Sequence, residues 1–308
     1  MFRAPQPAIP VLRAAPALVF ALAALLPVTS LAGDSMSPVA EGATLQLAAD
    51  GFAFTEGPAA DAMGNVYFTD QPNDRILKWT PDGEVSVFLQ PSERANGLTF
   101  DRQGRLLACA DEHNRLLRIA PDGAVEVLLD GVDGKRFNGP NDAWVAPDGG
   151  IYFTDPYYQR DYWSRTEPEL DSENLYYLSP QGRLSVADGE LVKPNGLVGT
   201  PAGDRLYVAD IGADRTWVYD READGRLVNR RLFAPMGSDG MTLDSAGNLY
   251  LTGDGVTVFD ARGTKILHIP VDEDWTANVT FGGPNRDILF ITAMDSVYTL
   301  QMAVRGAP

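Results

Sequence analysis

The chain has 308 residues, 42 acidic against 25 basic side chains, a net charge of −17 at pH 7, one cysteine and two histidines. That balance speaks against nucleic acid as a partner, because phosphate binding needs basic patches, and Cys109 alone excludes an internal disulfide. With only His113 and His268 available there is no Cys/His zinc spacing, and no G-x-S-x-G elbow supports a serine hydrolase built on either histidine.

The chain opens with Arg3 and Arg13, an uncharged run over 14–28, and small residues Ser30 and Ala32 placed as at a cleavage site. This is the layout of a secretory signal peptide over 1–32. A membrane anchor is the competing reading, but the run is 15 residues long and holds two prolines, whereas a spanning helix needs roughly 20 apolar residues. The expectation is an exported protein, periplasmic or secreted, free of the membrane after cleavage, whose residues 33–308 form one domain. Its oligomeric state is left open.

Six copies of one pattern follow in order: FTEGPAADAMGNVYFTD from Phe54, ANGLTFDRQGRLLACAD from Ala95, PNDAWVAPDGGIYFTD from Pro140, PNGLVGTPAGDRLYVAD from Pro194, SDGMTLDSAGNLYLTG from Ser238 and ANVTFGGPNRDILFITA from Ala277. In each, a polar residue, usually followed by Gly, precedes a short apolar strand, a Gly/Asp/Asn turn and a second apolar strand. Two further strands follow, as in RILKWTPDG then EVSVFL, and Asp-Gly between two apolar β-like runs is a strong hairpin signal. Asp82-Gly83, Asp122-Gly123 and Asp148-Gly149 are read as such turns between third and fourth strands. Cys109, in the apolar run RLLACA, reads as buried and inert. The third unit carries an insertion over 156–174, rich in aromatics (Tyr157, Tyr158, Tyr162, Trp163).

The leading polar residues are Glu56, Asn96, Asn141, Asn195, Asp239 and Asn278, at intervals of 40, 45, 54, 44 and 39. Four-stranded units repeating at roughly 40–50 residues are β-propeller blades, so the chain is predicted to be an all-β, six-bladed propeller with four antiparallel strands per blade. The last unit lacks room for a fourth strand, and ATLQLAA from Ala43 is predicted to complete it and close the ring. The innermost strand of each blade lines the central channel, so the six leading residues converge near the axis. Two carboxylates and four carboxamides gathered there suit a hard divalent cation, since Ca²⁺ takes 6–8 oxygen ligands at roughly 2.3–2.6 Å. The bland alternative is that Asn-Gly and Asp-Gly are ordinary turn pairs. The leading set, however, falls at a different phase of the repeat from the hairpin set.

The motifs EGP, RFNGPND, GGIYFTDP, PNGL and SDGM resemble the SMP-30/gluconolactonase/luciferin-regenerating-enzyme family, to which regucalcin belongs, over about 45–302. The resemblance implies a six-bladed propeller with one axial divalent cation, usually Ca²⁺ with Mg²⁺, Mn²⁺ or Zn²⁺ as alternatives, held by Glu56, Asn141, Asn195 and Asp239. It implies a small-molecule sugar lactone as substrate, opened by water while the cation polarises the carbonyl. Asp239, one of only two axial acids, is the expected general base, with Asp142 and His113 as weaker candidates. Asn96, His113, Arg136, Tyr157 and Asn278 are the expected substrate-facing residues, Arg136 by similarity to a substrate-binding arginine of the family. Two other readings stay open: an esterase or phosphotriesterase of the paraoxonase type, and a non-catalytic exported propeller that binds a glycan or protein.

Overall fold

In a computed structural model of the protein, which describes residues 37–308, the chain forms six four-stranded antiparallel sheets arranged as consecutive blades. The leader expected over 1–32 lies outside the described residues. From the axis outward, blade 1 runs Thr55–Ala60, Val66–Asp70, Arg75–Trp79, Val85–Leu89, and blade 2 runs Ala95–Phe100, Leu106–Ala110, Arg115–Ile119, Val125–Leu129. Blade 3 is Ala143–Val145, Ile151–Asp155, Asn174–Leu178, Leu184–Asp188, and blade 4 is Pro194–Gly199, Arg205–Asp210, Arg215–Arg221, Leu227–Ala234. Blade 5 is Met241–Leu243, Leu249–Gly253, Gly255–Phe259, Lys265–Ile269. Blade 6 takes Thr276–Gly282, Ile288–Ala293 and Ser296–Gln301 from the end of the chain, and its outer strand is Gln46–Ala49, paired with Ser296–Gln301. The ring therefore closes as the sequence predicts. Helical structure among the described residues is limited to two 3₁₀ turns, Gln71–Asn73 and Ile211–Ala213.

The period-2 alternation of short strands explains where the core sits. Each blade buries both faces of its second strand, and the apolar clusters lie between adjacent blades: Ala59 and Ile76 of blade 1, for example, pack on Leu98, Leu106 and Leu117 of blade 2. Cys109 belongs to such a cluster between blades 2 and 3 and is fully buried, as expected. Outer strands face solvent, which is why Val87, Val125, Val127 and Val186 are exposed. Asp82-Gly83 and Asp122-Gly123 turn between third and fourth strands, but Asp148-Gly149 turns between the first and second strands of blade 3. An Asp-Gly pair encodes a tight turn without encoding which pair of strands it joins, so the pair alone does not fix its phase in that blade.

Two repeated contacts fix the axial end of each blade. The threonine near the end of the second strand reaches across to the next blade: Thr69 Oγ1 donates to the Asn96 carbonyl at 3.0 Å, Thr154 Oγ1 to the Asn195 carbonyl at 2.8 Å and Thr252 Oγ1 to the Ala277 carbonyl at 2.8 Å. The aspartate after it clamps the segment entering its own blade. Asp70 accepts from the amides of Ala53 and Phe54, Asp155 from those of Asn138 and Gly139, and Asp210 from those of Val192 and Lys193, at 2.8–3.3 Å. In all three blades the clamped amides lie three and two residues before the leading polar residue.

Candidate active site

At the leading positions the strand register breaks. Bulges fall between Glu56 and Ala59, Ala95 and Leu98, Pro194 and Leu197, and Thr276 and Asn278. In blades 3 and 5 the regular strand starts only two residues after Asn141 and Asp239. A bulge re-aims a side chain out of the pleat, and here it turns the leading side chains toward the axis.

The glycines that follow four of the leading residues are explained by packing. A Cβ on Gly196 would stand 2.5 Å from the Asp239 carbonyl oxygen, one on Gly97 would collide with the Asn141 carbonyl, one on Gly57 with the Asn96 carbonyl, and one on Gly240 with the Asn278 side chain. Gly97, Gly196 and Gly240 keep negative φ, and only Gly57, at φ 50°, needs the left-handed region. The turn-pair reading is therefore replaced: the glycine lets neighbouring innermost strands approach backbone to backbone at the axis.

Five of the six leading residues, Glu56, Asn96, Asn141, Asn195 and Asp239, line one cavity of about 240 Å³ at the end of the channel where the innermost strands begin. Its walls also take in Phe54, Gln71, Tyr158, Arg160, Ile211 and Trp275. Asn278 stands behind this group and donates from Nδ2 to Glu56 Oε2 at 3.0 Å, while its own Oδ1 accepts the Val279 amide at 2.8 Å. The Gly57 amide also donates to Glu56 Oε2. Across the cavity, Trp275 Nε1 donates to Asp239 Oδ2 at 2.7 Å, and Asn195 Nδ2 donates to the Tyr158 hydroxyl at 3.1 Å.

The electrostatics follow from enclosure. Burial first, then the facing Asp239 carboxylate, pushes the Glu56 carboxyl well above the usual range, with Asp142 adding to the effect. Burial pushes Asp239 up to about 6, held from rising further by its bonds from Trp275 and Asn195 and by the Arg160 charge. Asp142 is pushed up to about 7 by burial, but it lines a separate cavity of about 390 Å³ on the other side of the axial ring. There it accepts the Ala143 amide at 2.9 Å and, more weakly, the Leu197 amide at 3.4 Å.

These residues fit a hard cation. The donors are two carboxylates and carboxamide oxygens, and Asn96 Oδ1 and Asn195 Oδ1 are buried without a hydrogen-bond partner, a costly state for a carbonyl that nothing else satisfies. The facing Asp239 carboxylate adds to the raised pKa of Glu56, and an intervening cation relieves such a pair. Neither His nor Cys is among the described residues that line the cavity, so the donor set favours oxygen-loving ions over softer ones.

Four of the residues expected to face substrate lie elsewhere, the first being Asn278, which bonds to Glu56 from behind and lines the cavity on the other side of the axial ring. His113 is exposed in the turn between the second and third strands of blade 2. Arg136 is exposed and bridges to Glu169 at 2.8 Å. Tyr157 bonds to Gln159 and packs at a tilt against Trp163, with ring centroids 5.8 Å apart, while its neighbour Tyr158 reaches the cavity. Among the wall residues the sequence reading did not single out, Gln71 and Ile211 follow the second-strand aspartates Asp70 and Asp210, so the phase of the repeat could have found them. Phe54 and Trp275 lie just before the leading residues of blades 1 and 6 and were open to the same argument. Arg160 sits in the insertion, where no repeat gives a phase.

Fold and site together define a six-bladed propeller carrying an oxygen-donor centre on its axis. The family model described as SMP-30/Gluconolactonase/LRE-like region matches residues 54–295, and the chain belongs to that family. It is 28% identical over 292 residues to a gluconolactonase of Zymomonas mobilis, covering 85% of this chain and 82% of that one. It is 27% identical to a pentonolactonase of Haloferax volcanii, covering 74% and 76% of the two chains. A solved gluconolactonase structure from Xanthomonas campestris superposes with a TM-score of 0.80 at 33% identity, covering 86% of this chain and 91% of that one. The chain is an enzyme of this lactonase family.

Proposed function

We propose that the chain is an exported, divalent-cation-dependent lactonase that opens a sugar lactone of the aldonolactone type. The observation that carries this reading is the convergence of Glu56, Asn96, Asn141, Asn195 and Asp239 on one cavity of about 240 Å³, a volume suited to a single monosaccharide ring. Relatives named gluconolactonase and pentonolactonase, similar over most of the chain, support the substrate class, and the leader pattern over 1–32 supports export.

On this reading Glu56, Asn141, Asn195 and Asp239 hold the cation, for which an all-oxygen set suits Ca²⁺, with Mg²⁺ and Mn²⁺ as alternatives and Zn²⁺ less suited. When bound, a divalent cation supplies Lewis-acid polarisation of the lactone carbonyl. Asp239 takes the proton of the attacking water as its oxygen forms the new bond to the carbonyl carbon. As the bond from that carbon to the ring oxygen breaks, Asp239 returns the proton to the departing alkoxide. The Trp275 indole fixes the Asp239 carboxylate through Oδ2. Asn278 orients Glu56 from behind. Phe54, Ile211 and Trp275 offer apolar surface to the C–H face of a sugar ring.

The test is acid release from aldonolactones before and after complete chelation. Turnover that collapses with chelator and returns with Ca²⁺ is expected. Undiminished turnover in metal-free enzyme overturns the cation, and turnover of phosphotriesters with none of lactones overturns the substrate class.

A further inference from the structure

The insertion over 156–174 is tied down on several sides. Trp163 Nε1 donates to the Asp111 carbonyl at 2.8 Å, Lys193 Nζ to the Tyr157 carbonyl at 2.9 Å and Arg165 Nη1 to the Phe137 carbonyl at 3.1 Å. The Arg94 guanidinium lies over the Tyr162 ring at 4.3 Å. The insertion is thus a fixed wall of the cavity, and among the described residues Arg160 is the one cationic side chain that lines it.

Asp111 explains how Arg160 is aimed. It follows the second strand of blade 2 as Gln71 follows that of blade 1, and its residue is only 3% exposed. Its Oδ2 accepts from Arg160 Nε at 2.7 Å, from the Tyr162 hydroxyl at 2.7 Å and from Gln71 Nε2 at 3.1 Å. Only Nε of Arg160 is engaged in this way: among the described residues its two terminal nitrogens make no hydrogen bond, and neither is a buried unpartnered atom. The fork is therefore open to the cavity, where its charge acts on Asp239 and on the Tyr158 hydroxyl. A guanidinium whose charge is already matched by a buried carboxylate does not require an anion. Its planar donors suit two adjacent neutral oxygens, and a side chain already pinned gives up little entropy on binding.

We propose that Arg160, carried on the insertion and braced by Asp111, grips neighbouring hydroxyl oxygens of a polyhydroxylated lactone, so that the insertion selects sugar lactones over plain ones. This rests on the lactonase reading. Asp111 acts through Arg160 as a positioning residue.

The experiment compares kcat/KM for an aldonolactone and for unsubstituted δ-valerolactone in the cation-loaded enzyme. In Arg160→Gln the ratio of the two falls about 10–100-fold, the scale of losing a charged hydrogen-bond donor, with most of the change in KM. Asp111→Asn lowers the same ratio less, and adds little in the Arg160→Gln background because the two act as a unit. An unchanged ratio in an Arg160→Gln enzyme that melts like the parent overturns the proposal. Should that variant not fold, an unchanged ratio in Asp111→Asn does so. A parent enzyme that opens neither lactone fails the lactonase reading instead, which keeps the two failures distinct.

Discussion

Asp239 has two demands placed on it. It contributes oxygen to the axial donor set and, on the proposed reading, carries a proton between water and alkoxide. Asn in its place keeps the shape and one carbonyl oxygen but cannot accept that proton. Asp239→Asn is expected to lower kcat by about 10²–10⁴-fold, the usual contribution of a positioned base, while the protein stays folded by circular dichroism and melting. Full activity in that variant would move the base to another group. The axial residues were legible in the sequence because six chemically similar side chains recur at one phase, and their shared position turns individually weak signals into one. His113, Arg136 and Tyr157 had no such support. Each rested on a single residue type near a motif, and the structure turns all three away from the cavity. Arg160 was illegible, and Tyr158 could not be told from the other insertion aromatics, for a related reason: a non-repeating segment offers no internal copy against which to judge which way a side chain faces.

Strands and their ends set where the axial groups can sit. Gly97 shows this most directly, because a methyl group there would occupy the space of the Asn141 carbonyl. Gly97→Ala is expected to cost about 1–3 kcal/mol or more, the range for overpacking a rigid contact, read as a lower midpoint in urea. A variant as stable as the parent would show that the innermost strands can part without penalty. The aspartate clamp predicts a pH effect. Burial pushes Asp155 from 3.8 to about 7 on folding, only partly offset by the Asn138 and Gly139 amides. Between those values the folded chain holds a proton that the unfolded chain has released, so this contribution is full below pH 3.8 and is lost as the pH climbs to about 7. Asp155→Asn cannot titrate. The stability difference between parent and variant, from denaturation at each pH, is expected to favour the parent most at acid pH and to shrink toward pH 7. A difference that stays flat or grows would assign Asp155 an ordinary value. The strands themselves were readable from apolar alternation and Asp-Gly turns. The clamps were not, since a terminal Asp in YFTD reads equally well as a turn residue.

The whole ring depends on one distant pairing. Gln46–Ala49 supplies the outer strand of blade 6, and Thr55 Oγ1 joins the Ser296 carbonyl at 2.8 Å from the other end of the fold. Removing 37–50 leaves a three-stranded blade with an open edge. The expected loss is several kcal/mol, roughly 10 °C in Tm for a chain of this size, by calorimetry of the truncated protein. An unshifted transition would mean that the ring holds without its closing strand. That closure could be anticipated because the last unit ran out of chain for a fourth strand and an unassigned strand stood before the first blade. The glycine contacts carry a separate consequence. The bore of the channel is gauged by main chain meeting main chain, whereas the grip between blades comes from apolar side chains farther out. On the proposed reading, robustness and ion preference therefore have different owners. Substitutions such as Leu117→Ala should soften the molecule without retuning which cation it prefers.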